Sequence, residues 1–386
     1  MKRFLASVLL FFLILAACTS NQEKSVEVPV GFYGPLSGDM ASFGNTVKRG
    51  IELGVEEVNK GELRGKHIKL FVEDDRGNPE EAQSAVSRMI NRDRVIAILG
   101  EPSSSCSLAG APICQQFRVP MITPAATNVK VTQQGNFIFR VCWTDNYQGE
   151  VMGQFAVQDL KAKNLAVLSD VSSDYSTGLA DVFTNKVEAL GSKVVIHESY
   201  NAGDTNFAAQ LTSIINQSPD ALFLPVYYNE AGLILRQLRS MNSSIVVIGA
   251  DGWDSPFLRD IGGDALNGTF YCTHFLPTDP APAVQKFVAA YRSKHSAEPS
   301  MGEALGYDSI RLLADAMMRS SFTDREKIRD AIAATKNFQG VTGEITIDSE
   351  RNARKPLILV KMENGEAKLY RKIEGPQGPR DAGGTD

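Results

Sequence analysis

The chain is poor in the residue types that staple, ligate or attract polyanions. Its 386 residues include five cysteines and four histidines, and Lys and Arg (40) do not outnumber Asp and Glu (45). Five cysteines are too few for a fold stapled by disulfides. His67, His197, His274 and His295 stand at no metal-ligand spacing from one another or from a cysteine. With a formal net charge of −5 and no run of Lys and Arg, the electrostatic footprint of a nucleic-acid partner is missing. Gly-x-Ser-x-Gly, Gly-x-x-x-x-Gly-Lys-Ser/Thr and Gly-x-Gly-x-x-Gly motifs are all absent, which removes the simplest hydrolase, nucleotide and dinucleotide readings. Asp74-Asp75 lacks the alternating oxygen ligands and closing Glu of a calcium loop. Neither metal nor cofactor is called for.

What is present begins with Lys2 and Arg3, an apolar run of twelve residues from Phe4 to Leu15, and the small residues Ala16 and Ala17. This is the pattern of a secretory signal, and twelve residues are too few to span a bilayer. No later segment is apolar for long enough. Leu15-Ala16-Ala17-Cys18 resembles the lipobox of bacterial lipoproteins. That resemblance implies removal of residues 1–17, lipidation of Cys18, and a polar tether over 18–25. Four cysteines then remain in an oxidising compartment.

From Val28 onward strand-like and helix-like stretches alternate: Val28–Tyr33, Ala41–Asn59, Ile68–Glu73, Glu80–Arg92, Val95–Leu99, Ser104–Phe117 and Val119–Ile122. Successive βα units predict a parallel sheet covered by helices on both faces. A second series runs through helix Gln148–Leu160, strand Leu165–Leu168, helix Tyr175–Leu190, strand Lys193–His197, helix Phe207–Gln217, strand Ala221–Pro225, helix Glu230–Ser240 and strand Ile245–Ile248. After the breakers Pro277, Pro280 and Pro282 come three helical stretches, Ala283–His295, Gly302–Ser320 and Asp324–Thr335, then strand-like Glu344–Ile347 and Leu357–Met362. Three helices without strands of their own cannot form an α/β unit, so they are expected to return to the first lobe. The Gly- and Pro-rich tail 374–386 is expected to be flexible.

Three segments follow predicted strands, where open α/β sheets place ligands. Gly100–Ser105 offers serine hydroxyls and helix N–H groups to an anion, or Ser merely caps the helix. Pro120–Thr127 presents small residues and the Thr127 hydroxyl, or is a Pro-bounded turn. Gly249–Pro256 offers Asp251 and Asp254 to an ammonium, with Trp253 as a wall, or the acids cap the next helix. Tyr175 and the pair Tyr227-Tyr228 also follow predicted strands.

In this order and spacing the segments resemble the periplasmic branched-chain amino acid binding proteins of ABC importers. The match also takes in Val28-Pro29-Val30-Gly31, Pro35-Leu36-Ser37-Gly38, Gly203–Phe207 and Gly306-Tyr307-Asp308. The resemblance implies the type I periplasmic binding protein fold, an α/β architecture of two doubly wound parallel-sheet lobes joined by a three-crossing hinge. Lobe 1 would be 26–143 plus 275–347 and lobe 2 would be 146–272 plus 356–372, with crossings near Cys142–Asn146, Cys272–Phe275 and Ile347–Pro356. It further implies that Ser104 and Thr127 clamp an α-carboxylate. The Ala125 carbonyl, the Thr127 hydroxyl and Asp251 would accept an α-ammonium, and Tyr227 and Tyr175 would close from the far lobe. Phe43, Pro102, Ser103, Ala126 and Trp253 would wall the side chain. Asp251 departs from the Glu of the best-known members, and Gly77 and Ser103 stand where those have a disulfide.

The function implied is non-enzymatic: a monomeric, lipid-anchored receptor in the periplasm or at the cell surface. It would hand an amino acid, hydrophobic or branched-chain, to ABC permease subunits. An extracytoplasmic sensor of a small amide or amino acid, and a secreted hydrolase using Ser104, are the alternatives. Cys106 and Cys114 lie eight residues apart on one predicted helix, about 12 Å along its axis and too far to bond. Cys142 and Cys272, each at a predicted crossing, either form a hinge disulfide or are buried free thiols.

Overall fold

The computed structural model describes residues 26–376. The signal segment, Cys18 and its tether, and residues 377–386 of the tail lie outside the described residues.

The first lobe begins with β1 (Val26–Gly34), α1 (Ala41–Val58), β2 (Lys66–Asp74), α2 (Pro79–Asn91), β3 (Ala97–Leu99), α3 (Ser104–Gln116), β4 (Met121–Thr123) and β5 (Ile138–Arg140). These strands make a five-stranded sheet in the order β2-β1-β3-β4-β5, parallel throughout. Because every pair is parallel, every connection is a helical crossover, and helices cover both faces. The inner strand β3 is accordingly apolar on both sides: Ala97, Ile98 and Leu99 are all fully buried.

The chain then enters α4 (Asp145–Gln154), β6 (Asn164–Asp170), α5 (Asp174–Ala189), β7 (Lys193–Tyr200), α6 (Ala208–Asn216), β8 (Ala221–Leu224), α7 (Tyr228–Ser240), β9 (Val246–Gly249) and β10 (Phe270–Thr273). The α4 helix starts three residues earlier than its periodicity predicts, because Thr144 caps it by accepting from Tyr147 N at 3.3 Å. It ends at Gln154 in one π-helical turn, Phe155–Asp159.

Next come α8 (Pro282–His295), α9 (Met301–Arg319), α10 (Arg325–Ala333), a small antiparallel ribbon of β11 (Phe338–Gly340), β12 (Gly343–Ile347) and β13 (Ala353–Arg354), and finally β14 (Leu357–Glu363) and β15 (Glu366–Ile373). The second sheet has seven strands in the order β15-β14-β10-β9-β8-β6-β7. Its β14 and β15 join antiparallel, the outer one as a polar edge strand.

Returning α9 packs on α1 almost backbone to backbone. A Cβ on Gly50 would stand 1.9 Å from Glu303 O, and one on Gly306 would stand 2.2 Å from Val47 O. Glycine at those positions is what lets a C-terminal helix close the N-terminal sheet.

The chain passes between the sheets after β5, after β10 and after β13. Cys142 and Cys272 lie beside the first two passages but form no bridge, so the disulfide alternative is corrected. All four described cysteines are free and buried. The Cys142 thiol donates to Ala126 O and the Cys272 thiol to Gln148 Oε1, each at 3.3 Å. Among the described residues no helix is long and apolar enough to cross a membrane.

Candidate ligand cleft

Every candidate segment lies at the carboxyl end of a parallel strand, where backbone groups leave the ladder and are free to meet a ligand. Gly100–Ser104 follows β3 and Pro124–Thr127 follows β4. In the second lobe, Tyr175 comes after β6, Tyr227 after β8 and Asp251–Trp253 after β9. The two sets face each other and touch. Ser105 Oγ donates to Asp174 Oδ2 at 2.9 Å, Asn128 Nδ2 donates to Asp174 O at 2.7 Å, and Asn229 Nδ2 donates to Asp39 O at 2.7 Å. Phe43 packs on Tyr227 with ring centroids 5.8 Å apart. The lobes are therefore closed upon each other. A cavity of about 260 Å³ lies between them, reached by Ser103, Tyr227, Asp39, Arg76 and Glu230.

On the first-lobe side, α3 begins with Ser103 as its N-cap residue, yet no side chain caps the helix. The Ser103 hydroxyl turns back to Glu101 Oε2 at 2.5 Å instead. Ser104 Oγ accepts from Asn128 N at 3.2 Å. The first-turn N–H groups of a thirteen-residue helix thus face the cleft without a side-chain acceptor, which is the electrostatic environment an anion seeks. Thr127 is buried and its Oγ1 has no partner among the described residues. Ala125 and Ala126 are buried beside it.

This loop is held from below by Arg140, fully buried, whose guanidinium donates to Ala126 O and Asn128 O, each at 2.7 Å. Sequence reasoning missed Arg140. An arginine ending an edge strand looks like any surface cation until the loop of Ala126–Asn128 is known to pack over it.

On the second-lobe side, Tyr175 donates through its hydroxyl to Asp251 Oδ1 at 2.8 Å and accepts from Gly252 N at 3.0 Å. Tyr175 stacks on Tyr227 with centroids 4.9 Å apart. Burial pushes the Asp251 carboxyl up to about 6. His274 Nε2 lies 3.4 Å from Asp251 Oδ2, and its ring stacks on Trp143. Burial holds His274 well below its ordinary range, so it stands as a neutral imidazole.

Asp145, at the first crossing, was also missed. It is buried, its Oδ1 accepts from Gln148 Nε2 at 2.9 Å, and its Oδ2 has no partner among the described residues. Burial raises its carboxyl to about 7, with the neighbouring Thr127 hydroxyl pulling it down and Asp251 pushing it up. No local pattern marks it, since an Asp one residue into a helix reads as a cap. Trp253 is wholly buried, with its indole N–H on Leu224 O at 3.0 Å.

Two doubly wound sheets, crossed between three times and meeting at their strand ends, are the architecture of periplasmic binding proteins, and the description of that family matches residues 27–367. The chain belongs to the periplasmic binding protein family. Within it, the chain is 28% identical over 324 residues to the Leu/Ile/Val-binding protein BraC3 of Rhizobium johnstonii, covering 83% of this chain and 87% of that one. Among solved structures, the leucine binding protein LivK of Thermotoga maritima is 38% identical, with a TM-score of 0.86 over 90% of this chain and 99% of its own. The branched-chain amino acid substrate binding protein LivJ of Streptococcus pneumoniae, solved with isoleucine, is 30% identical with a TM-score of 0.85, over 92% of this chain and all of its own. This family member thus has the type I periplasmic binding protein fold.

Proposed function

We propose that this periplasmic binding protein is an extracytoplasmic, lipid-anchored receptor that encloses a free hydrophobic or branched-chain amino acid and delivers it to an ABC permease. The observation that carries the reading is the pairing of an uncapped α3 N-terminus and unpartnered Thr127 on one lobe with the buried Asp251 carboxyl on the other. A zwitterion needs one anion acceptor and one cation acceptor, both shielded from water, and its side chain needs apolar surface. Phe43, Tyr227 and Tyr175 supply that surface. The isoleucine-bound relative supports the same ligand class. In this reading Ser104 and Thr127 hold the carboxylate, and Ala125 O and Asp251 hold the ammonium. Pro102, Ser103, Ala126 and Trp253 belong to the surrounding wall, and Cys18 carries the lipid.

Delivery follows from closure: a ligand that touches both lobes favours the closed state by its differential contacts there, and a permease can read that state. A Ser104 hydrolase gains no support, because the Ser104 hydroxyl is engaged by the Asn128 amide while His274 faces Asp251. The test is a thermal-shift and calorimetric screen of the amino acids on protein freed of ligand by unfolding and refolding. Saturable binding of leucine, isoleucine or valine is expected. Binding of aromatic acids or amides alone would overturn the assignment.

A further inference from the structure

Behind the first-lobe wall of the cleft, Asp75, Glu101 and Cys106 each bring one donor atom within 4.8 Å of the others, and all three are buried. They come from two pieces of chain: Asp75 from the turn after β2, and Glu101 and Cys106 from the turn after β3 and the first turn of α3 that it leads into. Each carboxyl group is anchored by one oxygen. Asp75 Oδ1 accepts from Gly77 N at 2.9 Å, and Glu101 Oε2 accepts from the Ser103 amide and hydroxyl. The remaining oxygens, Asp75 Oδ2 and Glu101 Oε1, have no partner among the described residues, although both residues are 0% exposed.

Two carboxylates cannot stay charged in such a place without a counter-charge. Among the described residues neither carboxyl is bonded to a Lys, Arg or His side chain. A shared proton would answer for the carboxyl pair but leaves the adjoining thiol without a role. A cation engages all three donors.

We propose that Asp75, Glu101 and Cys106 form a binding site for one thiophilic divalent cation of the zinc type. Three protein ligands with one thiolate among them suit zinc, and they leave a fourth position for water. Anchoring the second oxygen of each carboxylate is how proteins orient metal ligands. Cys106, Ser103 and Gly77 also reach the interlobe cavity, which gives the ion an entry route. On binding, the Cys106 thiol proton and any proton on the carboxyl pair pass to solvent, and the ion takes up the charge they leave. The site stands independently of which amino acid the cleft holds.

The test uses chelator-treated protein titrated with Zn²⁺ by calorimetry and with Cd²⁺ by ultraviolet absorption. One equivalent of zinc is expected to bind, with a thiolate-to-cadmium charge-transfer band. Cys106→Ser and Glu101→Gln should each weaken zinc by about tenfold or more. Cys114→Ser, which changes a buried thiol outside the cluster on the same helix, should leave zinc binding unchanged. Absence of a saturable zinc site, of the cadmium band in unsubstituted protein, or of any effect of the two ligand substitutions would each overturn the proposal. The band is read on unsubstituted protein, so it decides the matter even if a variant fails to fold.

Discussion

The first-lobe side of the cleft presents helix N–H groups and hydroxyls, none formally charged; the second-lobe side presents Asp251, a carboxyl bonded to a tyrosine hydroxyl with an imidazole beside it. The first end works by preorganised dipoles. Ser104 is tied to Asn128 N, and the Thr127 loop is tied to buried Arg140. Its attraction is nearly independent of pH. The second end works by a charge that burial makes costly, so its attraction depends on whether that carboxyl is ionised. The difference teaches that the two halves of the proposed zwitterion site can be disabled separately and by different means.

The largest effect should come from the charged end. Asp251→Ala removes a charge-assisted hydrogen bond of about 1.5–3 kcal/mol, and calorimetry should show affinity for the amino acid falling at least about tenfold. At the dipolar end, Ser104→Ala combined with Thr127→Ala should also cost about tenfold, at about 0.5–1.5 kcal/mol for each neutral bond. If the double variant lost more than Asp251→Ala, the ranking of the two ends would be reversed.

Acidity should separate the ends more cleanly. Asp251 titrates near 6, so lowering the pH to about 5 should weaken binding by about tenfold in the parent protein. The same change should have little effect in Asp251→Asn, and an equal fall in both would place the titration elsewhere. Ligand-free stability runs in the opposite direction. Asp251 and Asp145 titrate at about 6 and about 7 in the folded state, above their ordinary 3.8, so the folded state binds more protons than the unfolded one. Their contribution to stability should therefore fall as pH rises from about 4 to about 7, which a series of melting curves would detect. The smallest effect is expected for Ser105→Ala. It removes two exposed bonds across the closed cleft, one donated to Asp174 Oδ2 and one accepted from Asp174 N, and should shorten the ligand's residence time by about two- to fivefold, at about 0.5–1 kcal/mol in all.

Much of this architecture is written in local pattern. Alternating apolar strands and amphipathic helices announce parallel sheets, and the segments at strand ends announce where a ligand would be met. Other features carry no local mark. Polar β15 is not announced as a strand, because an edge strand keeps its side chains in water and takes its order from a neighbour's backbone. Arg140, Asp145 and His274 look like ordinary surface residues, yet they are buried against the cleft because strand ends and crossings from distant parts of the chain converge there. The disulfide alternative failed for a related reason: position near a crossing says nothing about where a thiol points, and both thiols had found carbonyl oxygens.

Sequence alone determined the class of the fold, the two-series organisation and the candidate residues, since periodicity, breakers and turn chemistry act over a few residues. Tertiary structure alone decided which polar groups are buried and left without partners, and hence their titration. It also decided how Asp75, Glu101 and Cys106 come to share one point in space. Burial and desolvation are collective properties of packed elements, and no stretch of chain carries them by itself.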